Sequence, residues 1–257
     1  MLEEKIIKYI KEAGDIFSIA FDKSKIVKTK SNSFDLVTET DKKIELFLKQ
    51  KLSQLIPESQ FLSEETDSAF KKSKYVWIID PIDGTTNFVH KFPFACISVA
   101  LQVDNELKYG IVYNPILNEF FFASKNQGAY LNESKITVNT ETDFSKTLLA
   151  TGFAYNFNSA KENNIRFFEN ILPQVHGIRR PGSAALDLAY VAKGVYDGFW
   201  EWFLNPWDVC AGILLITEAG GIVSNIEKNE WRFEDRLIIA GSKNIQPILL
   251  KSIQNIL

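Results

Sequence analysis

A chain of 257 residues with 46% hydrophobic residues and a formal net charge of −3 carries enough apolar material for a substantial core, in one large domain or two small ones. The acidic balance, with a pI near 5.6, gives no electrostatic reason to expect nucleic-acid binding. No apolar run approaches the roughly 20 residues that span a bilayer. The two cysteines, Cys96 and Cys210, lie in apolar segments and read as reduced core residues. Together with a start, Met1-Leu2-Glu3-Glu4-Lys5, that lacks the features of a signal peptide, they predict a cytoplasmic location.

In chain order, Leu2, Ile6, Ile10, Ala13, Phe17 and Phe21 recur at helical spacing and predict an amphipathic N-terminal helix. A Lys/Ser/Asn segment containing Lys30 follows. A second helix is predicted from Thr40 to Leu55, with Ile44, Phe47, Leu48, Leu52 and Leu55 on one face and Pro57 beyond its end. Phe61-Leu62-Ser63 reads as the end of a strand, and Tyr75 to Ile79 as a strand covered on both faces. Strands over Ile97–Val103, Tyr109–Tyr113 and Glu119–Ala123, with turns at Asp104-Asn105-Glu106 and Asn114-Pro115, predict an antiparallel meander. The second half alternates. Strands are expected at Thr147–Thr151, Gly177–Arg180, Phe199–Trp202 and Leu237–Ala240; helices at Lys161–Ile171, Ser183–Ala192, Pro206–Ala219 and Ile245–Ile256. Mixed sheets with helices on their faces are the expected result.

The chemistry concentrates where the Tyr75–Ile79 strand ends. There Asp80-Pro81-Ile82-Asp83-Gly84-Thr85-Thr86 brings two carboxylates and the Ile82 carbonyl close together. Three oxygens with no histidine or cysteine among them suit a hard cation such as Mg2+. Gly84, Thr85 and Thr86 stand at the start of a short helix, whose unpaired N–H groups can hold a phosphate. A metal beside a phosphate cradle suggests phosphoryl chemistry. Two further acidic sites join it: Glu64-Glu65 after the preceding strand, and Asp208 in Asn205-Pro206-Trp207-Asp208, where Asn205 is a candidate N-cap and Pro206 the first helical residue. Each has a bland alternative. Asp80 and Asp83 serve as turn residues in many proteins, paired glutamates are usually solvated, and Asp208 suits a helix dipole.

In their order and spacing, these blocks resemble the inositol monophosphatase family of magnesium-dependent, lithium-sensitive phosphatases. The resemblance is carried by Ser63-Glu64-Glu65, Trp77 to His90, and Pro206-Trp207-Asp208 leading to Glu218-Ala219-Gly220-Gly221. Asp35-Leu36-Val37-Thr38-Glu39-Thr40-Asp41 resembles the family's N-terminal signature, and Arg179 to Asp187 its substrate-side segment. One departure is Ser63, where the family usually has glycine. The resemblance implies an α+β fold, a five-layer αβαβα sandwich of the inositol monophosphatase/fructose-1,6-bisphosphatase type. It also implies one domain with its site between an N-terminal half, about 1–145, and a C-terminal half, about 146–257.

By the same resemblance, two or three Mg2+ ions are expected. Glu64, Asp80, the Ile82 carbonyl and Thr85 would hold the first, and Asp80, Asp83 and Asp208 the second. Asp41 would stand near a third, acting through water. Glu64 and Thr85, with Asp80, are the expected catalytic residues. The phosphate would lie on Gly84 and Thr85; Asp83, Gly182, Ala184, Glu201 and Asp208 would meet the rest of the substrate, and Arg179 or Arg180 a second phosphate. Lys30 is a candidate gate residue. The expected state is a homodimer, with a small phosphomonoester as substrate and no membrane or nucleic-acid partner.

His90 and His176, the only two histidines, make neither a zinc site nor a triad. Cys96 lacks an activating partner and reads as core, and the Phe199, Trp200, Trp202, Phe203 cluster as packing. Three functions follow from the resemblance. The first is hydrolysis of a sugar or polyol monophosphate such as inositol 1-phosphate. The second is the same chemistry on fructose 1,6-bisphosphate, a nucleotide bisphosphate or histidinol phosphate. The third is a regulatory protein that binds RNA polymerase or ribosome machinery.

Overall fold

A computed structural model of the protein describes residues 2–23, 27–29, 36–65, 73–153 and 164–257. Lys30, the Asp35 end of the N-terminal block and the expected helical start at 161–163 lie outside the described residues. The chain opens with α1 (Leu2–Asp22), followed by an antiparallel pair, β1 (Val27–Thr29) and β2 (Leu36–Thr38), and by α2 (Glu39–Leu55). In α1, Ile6, Ile10, Ala13, Phe17 and Phe21 are buried while Glu3 and Glu4 occupy the first turn, where the helix dipole favours them. In α2, Thr38 is the N-cap and forms a capping box with Asp41.

Seven strands then form one sheet in spatial order: β3 (Gln60–Ser63), β4 (Tyr75–Asp83), β5 (Cys96–Val103), β6 (Glu106–Asn114), β7 (Glu119–Ser124), β8 (Gly128–Leu131) and β9 (Ser134–Ile136). Only the β3–β4 pair is parallel. The short α3 (Thr85–Val89) leaves the end of β4. The β5–β6 hairpin turns on Asp104 and Asn105, both at positive φ, as a two-residue hairpin of matching twist requires. Strand β4 is covered on both faces, as its unbroken apolar run predicts. Trp77 and Ile79 pack towards α1 and α2, and Val76 and Ile78 towards the opposite layer.

The second half supplies β10 (Leu148–Thr151), α4 (Asn164–Ile171), β11 (Gly177–Arg179), α5 (Ala184–Ala192), β12 (Gly198–Trp202), α6 (Pro206–Glu218), β13 (Ile222–Ser224), β14 (Leu237–Gly241) and α7 (Gln246–Gln254). Its sheet has the order β11-β10-β12-β14-β13, parallel about β10 and antiparallel beyond β12. Helices α5 and α6 pack on each other and on strands of both sheets. They are apolar on nearly every side, as a helix enclosed between two sheets must be. Residues of α4 and α7 cover the outer face of the second sheet, with Phe167, Ile171, Leu249 and Ile253 against Leu149, Trp200 and Ile239. The layers are therefore α1/α2, first sheet, α5/α6, second sheet, α4/α7: the αβαβα sandwich. Among the described residues no helix is long and apolar enough to cross a membrane.

Candidate active site

The end of β4 owes its chemistry to a fault in its pairing. Along a regular strand, side chains alternate between faces, so Asp80 and Asp83, an odd number of residues apart, would point to opposite sides. Asp80 pairs with Ser98 and Asp83 with Cys96, so three steps on β4 match two on β5. This bulge resets the alternation, so that both carboxylates lie on one cavity wall. Pro81, which has no N–H to give to the ladder, sits within it. The Ile82 N–H donates to Asp80 Oδ1 at 2.9 Å, and the Thr85 hydroxyl donates to the Ile82 carbonyl at 3.0 Å. The chain then turns through Gly84 at φ +86° into α3.

These residues form one side of a cavity of about 230 Å³, shared with Glu64, Asp208, Glu201 and Asp187. Glu64 follows β3, its N–H bonded to the Ile79 carbonyl at 3.3 Å. The next residue is fixed too: Glu65 N–H donates to Glu45 Oε2 at 3.0 Å, and Lys49 holds the other Glu45 oxygen at 2.8 Å. Asp208 sits in the first turn of α6 behind Pro206, its Oδ2 accepting from Asn205 N–H at 2.6 Å. Asp83 is tied to the facing helix, its Oδ2 accepting from Ser183 Oγ and Ala185 N–H at 2.7 Å each. The Asn87 amide bridges the two sides, donating to Phe94 O and Pro181 O at 2.7 Å each.

Among the described residues, six carboxylates and one guanidinium, Arg180, line this cavity, and the electrostatics follow. Burial, then the charges of Glu64, Asp83 and Asp208, push Asp80 well above the usual carboxylate range. Burial, then the charges of Asp83 and Glu64, do likewise to Asp208. Burial raises Asp83 to about 6 against the pull of its Ser183 hydrogen bond. Glu201 is pushed up to about 8 by burial and Asp83, and Arg180 only partly offsets this. An anionic cluster of this kind calls for cations. As the side chains stand, no three acidic, histidine or cysteine groups among the described residues converge on one point as ligands of one ion would. Asp80 and Asp208 each turn an oxygen to a donor of their own wall and Asp83 to the facing helix, and mutual repulsion opposes their turning inwards until a cation is there. The donor set itself, carboxylates with a carbonyl and a hydroxyl, fits Mg2+ and not a soft metal.

The far wall is set by the pleat of β12. Trp200 and Trp202 pack outwards beneath α4 and α7, and Phe199 packs inwards. Glu201, buried and on the cavity wall, alternates with the two tryptophans. The aromatic cluster is thus packing, with Trp202 stacked on Phe167 at 6.0 Å. Gly152 lies so close to the Glu201 carboxylate that a Cβ there would overlap it. Gly84, Thr85, Gly182 and Ala184 also lie on the wall.

Two expected site residues do not line the cavity. Asp41 is buried but off the cavity wall. Its Oδ2 accepts from the Thr38 N–H at 2.8 Å and the Thr38 hydroxyl at 2.5 Å, so the capping box engages that oxygen. Arg179 ends β11, exposed, with a guanidinium N–H on the Ile178 carbonyl at 3.2 Å. Its neighbour Arg180 takes the place on the wall. Asp187, Ser183 and Gly152, to which the sequence alone assigns no individual role, also line the wall. Asp187 was findable in principle, since it falls three residues after Ala184 and so shares its helical face. His90 and His176 are exposed, and burial with Asp83 raises the Cys96 thiol well above its ordinary value, which makes it a poor nucleophile.

Gly84 offers a direct check on the turn. Its φ lies in the left-handed region, and a Cβ would stand 3.0 Å from Phe94 O and 3.2 Å from Gly182 O. Gly84→Ala should destabilise the fold by about 1–2 kcal/mol from backbone strain alone, a Tm fall of about 2–8 °C. An unchanged Tm in thermal denaturation would contradict this account of the turn.

A family model described as the inositol monophosphatase family matches residues 2–257. The chain is 41% identical over 212 residues to the inositol-1-monophosphatase of Synechocystis sp., covering 82% of this chain and 74% of that one. It is 35% identical over 254 residues to the Nus factor SuhB of Pseudomonas aeruginosa, covering 96% and 94%. Among solved structures, the inositol monophosphatase from Anabaena (Nostoc) sp. matches with a TM-score of 0.89 at 32% identity, covering 98% of this chain and 94% of that one.

Proposed function

Because the chain belongs to the inositol monophosphatase family and is a phosphoric monoester hydrolase, we propose that it hydrolyses small polyol or sugar monophosphates, inositol 1-phosphate first among them, with Mg2+. The observation that carries this reading is the β4 bulge, which aims Asp80 and Asp83 at one cavity wall beside Gly84 and Thr85. Glu64, Asp80, the Ile82 carbonyl and Thr85 would hold one ion, and Asp80, Asp83 and Asp208 a second. When bound, the cations supply Lewis-acid stabilisation of charge developing on the phosphoryl and leaving oxygens. The residues do the rest. Gly84 and Thr85 seat the phosphate. The Thr85 hydroxyl, its proton committed to the Ile82 carbonyl, presents a lone pair that, with Glu64, orients the attacking water. Asp83, Gly182, Ala184 and Glu201 bound the leaving alcohol.

Glu201 is the wall group suited to vicinal hydroxyls, which can donate paired hydrogen bonds to a carboxylate. Glu201→Gln should raise KM for inositol 1-phosphate more than for glycerol 2-phosphate, whose two hydroxyls are not vicinal. A mismatched hydroxyl partner costs about 1–3 kcal/mol, or roughly 5- to 150-fold. Equal effects on the two substrates would remove Glu201 from substrate recognition.

The class of substrate is tested by phosphate release at saturating Mg2+ from inositol 1-phosphate, glycerol phosphate, fructose 1,6-bisphosphate, a nucleotide bisphosphate and histidinol phosphate. The expected order places inositol 1-phosphate highest by kcat/KM, and a preference for a bisphosphate would overturn it. The likeness to the Nus factor SuhB of Pseudomonas aeruginosa supports a second reading, a regulatory protein that binds RNA polymerase or ribosome machinery. Capture of RNA polymerase subunits by the tagged protein, unaffected by loss of phosphatase activity, would favour that second reading.

A further inference from the structure

Strand β5 turns a different set of residues to each of its neighbouring layers. Ile97, Val99 and Leu101 pack towards α1 and α2, while Cys96 and Ala100 pack with residues of α5 and α6. Ser98 stands between those two small residues, on the α6 side by the pleat, and is 1% exposed. A methyl group would fill this place much as Ala100 fills its own. A hydroxyl buried there costs free energy unless it is hydrogen-bonded. Its bond crosses from one half of the chain to the other: Ser98 Oγ donates to the Trp207 carbonyl at 3.1 Å. Trp207 does not depend on this donor. It lies in the first turn of α6, where the N–H four residues on is the helix's own partner for that carbonyl, and a carbonyl oxygen can accept twice.

Both ends of the bond adjoin acids of the site. Ser98 is the direct cross-strand partner of Asp80, so the two side chains leave the sheet on one face with Cβ atoms about 5 Å apart. Trp207 immediately precedes Asp208. Asp80 and Asp208 reach the cavity wall from different halves of the chain, and their carboxylates repel each other until a cation comes between them. By tying α6 to the strands that carry Asp80, the Ser98 hydroxyl opposes that separation. We propose that Ser98 is a positioning residue that sets the spacing of Asp80 and Asp208 and so prepares them to hold one Mg2+ together. This rests on the two-ion reading above.

The test compares wild type with Ser98→Ala and Thr147→Val. The second variant also loses a buried hydroxyl bond, Thr147 Oγ1 to Phe144 O at 2.7 Å, but at a residue off the cavity wall. Two readouts are taken on chelator-treated protein. One is the rise in Tm with added Mg2+ alone, which gives an apparent Kd; the other is the Mg2+ needed for half-maximal phosphate release from inositol 1-phosphate. Changing a group that orients metal ligands costs roughly 10- to 100-fold in metal affinity. Ser98→Ala should therefore raise both Mg2+ values at least about tenfold and leave KM for inositol 1-phosphate at saturating Mg2+ near that of wild type. Thr147→Val should change neither Mg2+ value. An unchanged Mg2+ response in Ser98→Ala, or an equal rise in Thr147→Val, would overturn the proposal. So would a Ser98→Ala protein without a native near-ultraviolet circular dichroism spectrum, which would make Ser98 a folding residue. Wild type whose Tm and turnover ignore Mg2+ would instead remove the two-ion reading, and this inference with it; a Mg2+ response in wild type keeps the two failures apart.

Discussion

Asp80→Asn should lower kcat by at least about 100-fold at saturating Mg2+, because one carboxylate is asked to serve both proposed ions. The amide keeps the shape of the side chain and can still accept from the Ile82 N–H, which now meets Asp80 Oδ1 at 2.9 Å. What it removes is charge at a deeply buried acid of the cluster, 2% exposed and pressed by Glu64, Asp83 and Asp208. The metal-free variant should therefore be at least as stable as the metal-free wild type, since one repelling charge has gone. Lost activity with retained stability separates a ligand from a structural residue. Near wild-type turnover would sink the two-ion site, and a large fall in Tm would make Asp80 a folding residue.

Removing the metal should leave a protein that is less stable at high pH than at low pH. Asp83 is raised from 3.8 to about 6 and Glu201 from 4.5 to about 8, both chiefly by burial. An acid with a higher pKa in the folded state holds its proton more tightly there than in the unfolded chain. Between the unfolded and folded values the native state binds more protons, so stability falls as pH rises through that window and levels off above the folded pKa. One group displaced by about three units represents about 4 kcal/mol. For a chain of this size that is a Tm difference of about 8–16 °C between pH 5 and pH 9. Mg2+ should abolish most of the difference by compensating the charge. Calorimetry of chelator-treated protein across this range checks it; a Tm that climbs with pH, or one indifferent to Mg2+, contradicts it.

Much of this site could be read before any coordinates. The helical spacing from Leu2 to Phe21 and the apolar run from Tyr75 to Ile79 each allowed one burial pattern, and α1 and β4 have it. Asn205 and Pro206 announced the start of α6 by local chemistry alone. The order of the five layers was legible only through family resemblance, because periodicity says which face is buried and not against what. The short strands β8, β9 and β13 carried too few residues to display an alternation. The bulge was hidden for a different reason. Strand parity puts Asp80 and Asp83 on opposite faces, and only the pairing with β5 shows the slip that brings them together. Asp41 and Arg179 stand off the cavity wall. A capping box engages the first, and one step along the chain decides which of two arginines lies on the cavity wall.

The most direct measurement is a Mg2+ titration of chelator-treated protein, with inorganic phosphate release from inositol 1-phosphate followed at each concentration. The account predicts no release above background without Mg2+, a saturable rise to full turnover as Mg2+ is added, and no such rise in Asp80→Asn. Turnover that survives exhaustive chelation, or that Mg2+ leaves unchanged, would contradict it.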